Sequence, residues 1–255
     1  MNLTEWRTLT QKPLDRSRLL DILANKIKLK RPPVAITYCD GVPPAGYEPA
    51  RVPVCSILYY HAEQGRKLYV DATHHDCFVG QYHLGFLPAE AAGSLIYDGE
   101  YLTMAQGFFT PEAARRNKQQ SYSLPAGAIT AIAAAPLSEL PADVPLDLLC
   151  LITDVQRAMQ IAGAASVREG TLPHGELGPS SCSSLFAAPW HTRNTVFAPG
   201  EGGGCGFNHL ANSELFVALP AHHLPYVIEM FENFWFKPDE MCRLIFPSHT
   251  SVFLQ

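Results

Sequence analysis

Four cysteines stand in two matching pairs. Cys55-Ser56-Ile57-Leu58-Tyr59 and Cys182-Ser183-Ser184-Leu185-Phe186 share cysteine, serine, leucine and an aromatic at four of five positions. Each block leads to a second cysteine, Cys77 and Cys205, with the second interval one residue longer than the first. An aromatic then follows, in Cys77-Phe78-Val79 and Cys205-Gly206-Phe207. Such self-similarity marks an internal duplication. Two similar halves packed about a pseudo-two-fold axis bring equivalent loops together, as symmetric subunits do.

Thiolate sulfur is the soft ligand that zinc and iron–sulfur clusters select, and four thiolates complete either site. Structural zinc draws its ligands in close Cys-x-x-Cys pairs, whereas here about twenty positions separate the members of each pair. The ligand type therefore favours a 4Fe-4S cluster held by Cys55, Cys77, Cys182 and Cys205, with zinc as the alternative. Cys55 and Cys182 are expected to open helices, where the positive end of the dipole lowers a thiol pKa. Gly202, Gly203 and Gly204 would let the backbone approach an inorganic core closely. His74 and His75, beside Asp76 in the turn before Cys77, are candidates for an outer layer around the site.

Two other readings compete. Cysteine is a commonly buried residue, so a duplicated core cysteine in a small-molecule-binding module would produce the same pattern. Alternatively, Cys77 beside His74 and His75 is the reactive thiol of an enzyme. Cys39, Cys150 and Cys242 fit packing better than ligation. Gln156 and Arg157, after a buried strand, are candidate anion contacts, against a plain capped helix. His222 and His223 open an apparent surface helix. The chain lacks the Gly-Lys-Ser/Thr, Gly-x-Ser-x-Gly and His-Glu-x-x-His signatures.

The elements that must position these residues follow from apolar spacing and breakers. Residues 15–28 carry an amphipathic helix that Pro32 and Pro33 end. Residues 34–38, 66–72, 146–152, 195–198 and 215–219 read as strands, and residues 128–135 as a strand or a packed helix. Helices are expected over 56–64, from 88, after the cap Asp154, and over 224–234. Residues 114–120 form a charged, exposed segment, and 136–145 the best linker.

The chain has 255 residues, 47% of them hydrophobic and only 17% charged, with a net charge of −5. That balance supports a large core and excludes the basic stripe that nucleic acid requires. Residues 1–13 lack a secretory pattern and no apolar run is long enough to span a bilayer, so a cytoplasmic protein with no membrane partner is expected. Seven cysteines in a reducing compartment point to ligands, redox chemistry or packing rather than disulfides.

The chain resembles the prokaryotic domain-of-unknown-function family 169 (DUF169) over nearly its whole length. The resemblance rests on Arg31-Pro32-Pro33-Val34-Ala35-Ile36, on Cys55-Ser56 with its following helix, and on Cys77 with Gly80 and Leu84-Gly85. It extends to the strand and helix over 147–159 and to Cys182 before Leu185-Phe186-Ala187. It implies no assigned activity and no catalytic residues, and Cys205 rests on the repeat alone.

The expected architecture is α/β or α+β, internally duplicated. It would comprise an N-terminal helix (1–30), a first half (31–135), a second half (145–235) and a docked tail (236–255). The expected role is redox or reductase-associated, with a redox partner protein or a small molecule as partner.

Overall fold

The computed structural model describes residues 1–57, 64–88, 109–167, 170–177 and 180–233. The helix expected from residue 88, most of that over 56–64, Cys242 and the tail lie outside these residues. The described chain is a mixed α/β structure built on one eight-stranded sheet in the order β2-β3-β4-β1-β5-β8-β7-β6. The strands are β1 (Val34–Cys39), β2 (Glu48–Pro49), β3 (Leu68–Asp71), β4 (Ala131–Pro136), β5 (Leu148–Asp154), β6 (His174–Gly175), β7 (Val196–Ala198) and β8 (Glu214–Pro220).

Antiparallel β1 and β5 pair at the centre, with Ala35 opposite Leu149. Outward on one side, β1 pairs antiparallel with β4, β4 antiparallel with β3, and β3 parallel with β2. On the other, β5 pairs antiparallel with β8, β8 antiparallel with β7, and β7 parallel with β6. Both edges end in two-residue strands, which offer little template for further pairing.

The helices are α1 (Leu3–Thr10), α2 (Arg16–Asp21), α3 (Phe78–His83), α4 (Pro111–Gln120), α5 (Val155–Val167), α6 (Ala188–Thr192), α7 (Gly202–Asn208) and α8 (Leu224–Asn233). Asp15 caps α2, which continues through a π-turn over Ile22–Lys26. Asp154 caps α5 by accepting from the Arg157 backbone N–H at 3.0 Å.

Both faces of the sheet are covered, which is why its central strands are apolar at nearly every position. Side-chain alternation sends Val34, Ile36, Tyr38, Leu148, Cys150 and Phe216 into a core shared with Trp6, Leu185, Phe186 and Trp190. Their neighbours Ala35, Leu149, Leu151 and Val217 meet α2, α5 and α8 through Leu19, Ile161 and Phe231. The ambiguous segment 128–135 resolves as a strand: Ile132 and Ala134 enter the first core, and Ala131, Ala133 and Ala135 the second. The linker candidate 136–145 joins β4 to β5 within one sheet, held by Arg16, which donates to the carbonyls of Leu140, Pro141 and Val144.

The N-terminal helix expected over 1–30 is divided, α2 being preceded by a separate α1. An Asn2–Glu5 capping box starts it, and its Trp6 stacks on Trp190 with centroids 5.3 Å apart. Two surface expectations are corrected. Ala114 and Lys118 of the charged segment are buried in α4, and His222 and His223 are buried rather than exposed. Of the two readings of residues 154–157, the capped helix is the one found: Arg157 donates to the carbonyls of Ile27 and Lys28 and pairs with Asp154, fastening α5.

Candidate functional site: a buried group of cysteines

Cys55 sits in a single 3-10 turn, Val54–Ser56, between β2 and β3. Cys182 opens a π-turn, Cys182–Ala187, between β6 and β7. The Tyr38 hydroxyl in β1 donates to the Phe186 carbonyl at 2.6 Å, anchoring the second turn on the central strand. Cys77 immediately precedes α3, whose third residue is Gly80. A Cβ placed on Gly80 would lie 3.2 Å from the Cys182 sulfur and 2.4 Å from His75 Nε2, so this glycine lets α3 close onto the Cys182 turn.

Cys55, Cys77 and Cys182 lie within electrostatic reach of one another. Burial pushes the Cys55 thiol up, with Glu201 and Cys77 adding to the effect. Burial likewise holds the Cys182 thiol well above its ordinary value, reinforced by Cys55, Cys77 and Glu201 and opposed by Lys118. The lowered thiol pKa expected at a helix start is therefore corrected for both residues: desolvation and neighbouring negative groups outweigh the end of a short turn.

Cys205 stands apart. It belongs to α7, is partly exposed, and directs its sulfur to the Pro199 carbonyl at 3.4 Å. Burial raises its pKa, and the only charged neighbour that contributes is Glu201. The glycine run before it forms the first turn of α7 instead of a loop around a ligand. Glu201 caps that turn, accepting from the Gly204 N–H at 2.8 Å through Oε1, while its Oε2 accepts from the Ser181 N–H at 2.7 Å and from the Ser181 hydroxyl.

Of four polar side chains from this part of the chain, His75 and Lys118 reach the cysteines, while His74 and His83 meet other partners. His74 is turned to Asp71, with Nδ1 2.8 Å from the carboxylate. His75 is buried at 3% exposure, and its Nδ1 accepts the Cys77 backbone N–H at 3.0 Å. Desolvation lowers its pKa to about 4. Lys118, which the sequence placed on an exposed face, is buried and hydrogen-bonded to His83 Nε2. His83 Nδ1 meets the Tyr122 carbonyl at 2.7 Å and must donate to it, so Nε2 is the acceptor and Lys118 the donor. Burial lowers the lysine to about 8, against the pull of Cys182 and Cys77. No local signal exposes this lysine's role: α4 is charged throughout, and only the fold shows which of its cations turns inward.

Among the described residues no three His, Cys, Asp or Glu side chains converge closely enough to hold a single metal ion. No helix among them is long and apolar enough to cross a membrane. A groove of about 690 Å³ lies elsewhere, along α5 and the β6–β7 edge, lined by Met159, Leu172 and Phe197 among others and by none of the cysteines.

Fold and site together define a single-sheet α/β protein with three mutually interacting thiols brought together from distant parts of the chain. The model of DUF169, described as "Uncharacterised ArCR", matches residues 22–230, so the chain belongs to that family. No curated protein and no solved structure matches the chain significantly.

Proposed function

We propose that the chain is an internal duplication whose halves together hold an iron–sulfur cluster through Cys55, Cys77 and Cys182, in an electron-transfer role with a redox partner protein. The observation that carries this reading is the mutual influence of three thiols drawn from β2–β3, β3–β4 and β6–β7 connections. The duplication is supported by the identical pairing sequence on either side of the β1–β5 pair. In both halves the first cysteine follows the edge strand, and the second precedes or joins the helix that comes after the next strand.

The electrostatics favour a cationic guest. The buried Cys55 and Cys182 thiols, within reach of the Glu201 carboxylate, resist ionising alone, whereas a bound metal deprotonates a coordinating thiol outright. Around one zinc, with Zn–S of about 2.3 Å, tetrahedral thiolates would stand about 3.8 Å apart. A cluster asks for a wider ring of cysteines, because each sulfur binds a different iron. Three cysteines leave one iron of a 4Fe-4S cluster for another ligand or a substrate.

The test is anaerobic purification, followed by reconstitution with ferrous iron and sulfide. A brown protein with iron and sulfide in near-equal amounts is expected, with loss of cluster in Cys55→Ser, Cys77→Ser and Cys182→Ser but retention in Cys205→Ser. Colourless, metal-free protein after reconstitution overturns the reading. One zinc per chain without sulfide replaces it with a structural zinc site.

A further inference from the structure

His75 presents an unanswered hydrogen-bond donor to the cysteine group. Its Nδ1 accepts the Cys77 N–H, so the lone pair is on Nδ1, and the single proton of the neutral imidazole sits on Nε2. That Nε2 is buried and has no hydrogen-bond partner among the described residues. An unpaired buried donor is costly and rare in native folds, so a partner beyond the described residues is called for.

The position of Nε2 identifies the chemistry of that partner. A Cβ added at Gly80 would meet this nitrogen at 2.4 Å and the Cys182 sulfur at 3.2 Å, so both border the space that the glycine leaves open. A metal cation needs a lone pair, and this nitrogen carries a proton instead. An anionic sulfur, either cluster sulfide or a metal-bound thiolate, accepts it directly.

We propose that His75 is not a ligand but the hydrogen-bond donor to a sulfur of the cluster held by Cys55, Cys77 and Cys182, and that it raises the cluster's reduction potential. This rests on the cluster reading above. Reduction adds negative charge to the sulfurs, so an N–H aimed at one of them stabilises the reduced form more than the oxidised one. The Cys77 N–H fixes the tautomer, and Gly80 seats the ring.

The test uses the full chain, reconstituted anaerobically with ferrous iron and sulfide, with iron and sulfide content, redox titration and nitrogen hyperfine coupling measured together. His75→Leu should keep full iron and sulfide while its reduction equilibrium weakens about tenfold, a fall of about 59 mV for one electron. His75→Gln, which retains an N–H donor, should stay near the parent potential. Gly80→Ala, whose Cβ would displace the ring, should fall with the leucine variant and guards against a folding defect peculiar to it. Loss of iron in His75→Leu, or hyperfine coupling of a directly bound imidazole in the parent, would make His75 a ligand and overturn the proposal. A parent that binds a cluster, with all three variants at its potential, sinks the donor role alone. A parent that binds neither iron nor sulfide removes the cluster reading and the donor role together.

Discussion

Asn208, at the end of α7, donates its side-chain N–H to the backbone carbonyl of Cys55 at 2.7 Å, joining segments 153 positions apart in sequence. The same amide nitrogen donates to the Gly204 carbonyl at 2.7 Å. Three residues after Cys77 stands Gly80, packed on Cys182; three after Cys205 stands Asn208, bonded to Cys55. Each later helix thus braces the other cysteine turn. Asn208 is fully buried, so Asn208→Ala leaves two carbonyls without this donor and should cost about 1–3 kcal/mol. Urea unfolding of the metal-free protein measures it, and an unchanged midpoint would contradict the brace.

Arg7 holds the other essential polar contact. Its guanidinium grips Asp147 in a fork, with Nε 2.9 Å from one carboxylate oxygen and a terminal nitrogen 2.6 Å from the other. The Tyr38 N–H also donates to this fully buried carboxylate, at 2.8 Å. Arg7→Leu strands the charge and should cost about 3–5 kcal/mol. The double variant Arg7→Leu with Asp147→Leu should recover part of that loss, because the penalty comes from the unpaired charge and not from absence of the pair. Equal stability of the single and double variants would refute this account.

The contrast between these contacts explains what the sequence could and could not disclose. Strands β1, β5 and β8 were legible because burial on both faces demands continuous apolar runs, α2 because its apolar residues recur at helical spacing, and α5 because Asp154 caps it locally. That α1 stands apart from α2 was not, since Trp6 and Arg7 are fixed by Trp190, Tyr38 and Asp147, all remote in sequence. The glycines of α7 argued for a loop. They form a helix because Glu201 caps it and Asn208 ties it to Cys55. Pairing of the cysteines was visible as repetition, but separation of Cys205 from the other three depends on side-chain directions that no spacing encodes.

Acid should destabilise the metal-free protein. His75 has a folded pKa of about 4, below its ordinary value of 6.5, and burial also holds His83 well below that value. Between pH 4 and 6.5 the unfolded chain binds protons that the folded one refuses, so stability rises with pH there. His75 alone accounts for about 3 kcal/mol across the window. On the alkaline side burial raises Cys39 to about 12 and Cys55, Cys150 and Cys182 upward as well. Their contribution is complete below the ordinary thiol pKa and is lost as pH climbs past it. Lys118, lowered to about 8, opposes that loss in part. Urea midpoints under reducing conditions should therefore peak between about pH 7 and 8. His75→Gln should flatten the acid limb, and a midpoint that rises from pH 7 to pH 5 would reverse the sign argued here.

Gly204 allows a sharper test of how α7 meets the Cys182 turn. A Cβ there would lie 2.4 Å from the Ser181 hydroxyl oxygen and 3.1 and 3.3 Å from the Glu201 carboxylate oxygens. In an open helix, glycine to alanine gains about 1 kcal/mol of propensity. Here the methyl group must push the Ser181 hydroxyl off Glu201, and a hydrogen bond to a charged group contributes about 1.5–3 kcal/mol. Gly204→Ala should therefore be net destabilising by about 0.5–2 kcal/mol, the difference between those terms. With Ser181→Ala already present the obstructing oxygen is gone, and the same glycine replacement should become neutral or stabilising. A double-mutant cycle isolates this coupling. Additive effects of the two substitutions would mean that Ser181 and Gly204 do not constrain each other, and that the glycine in α7 serves some contact other than this approach.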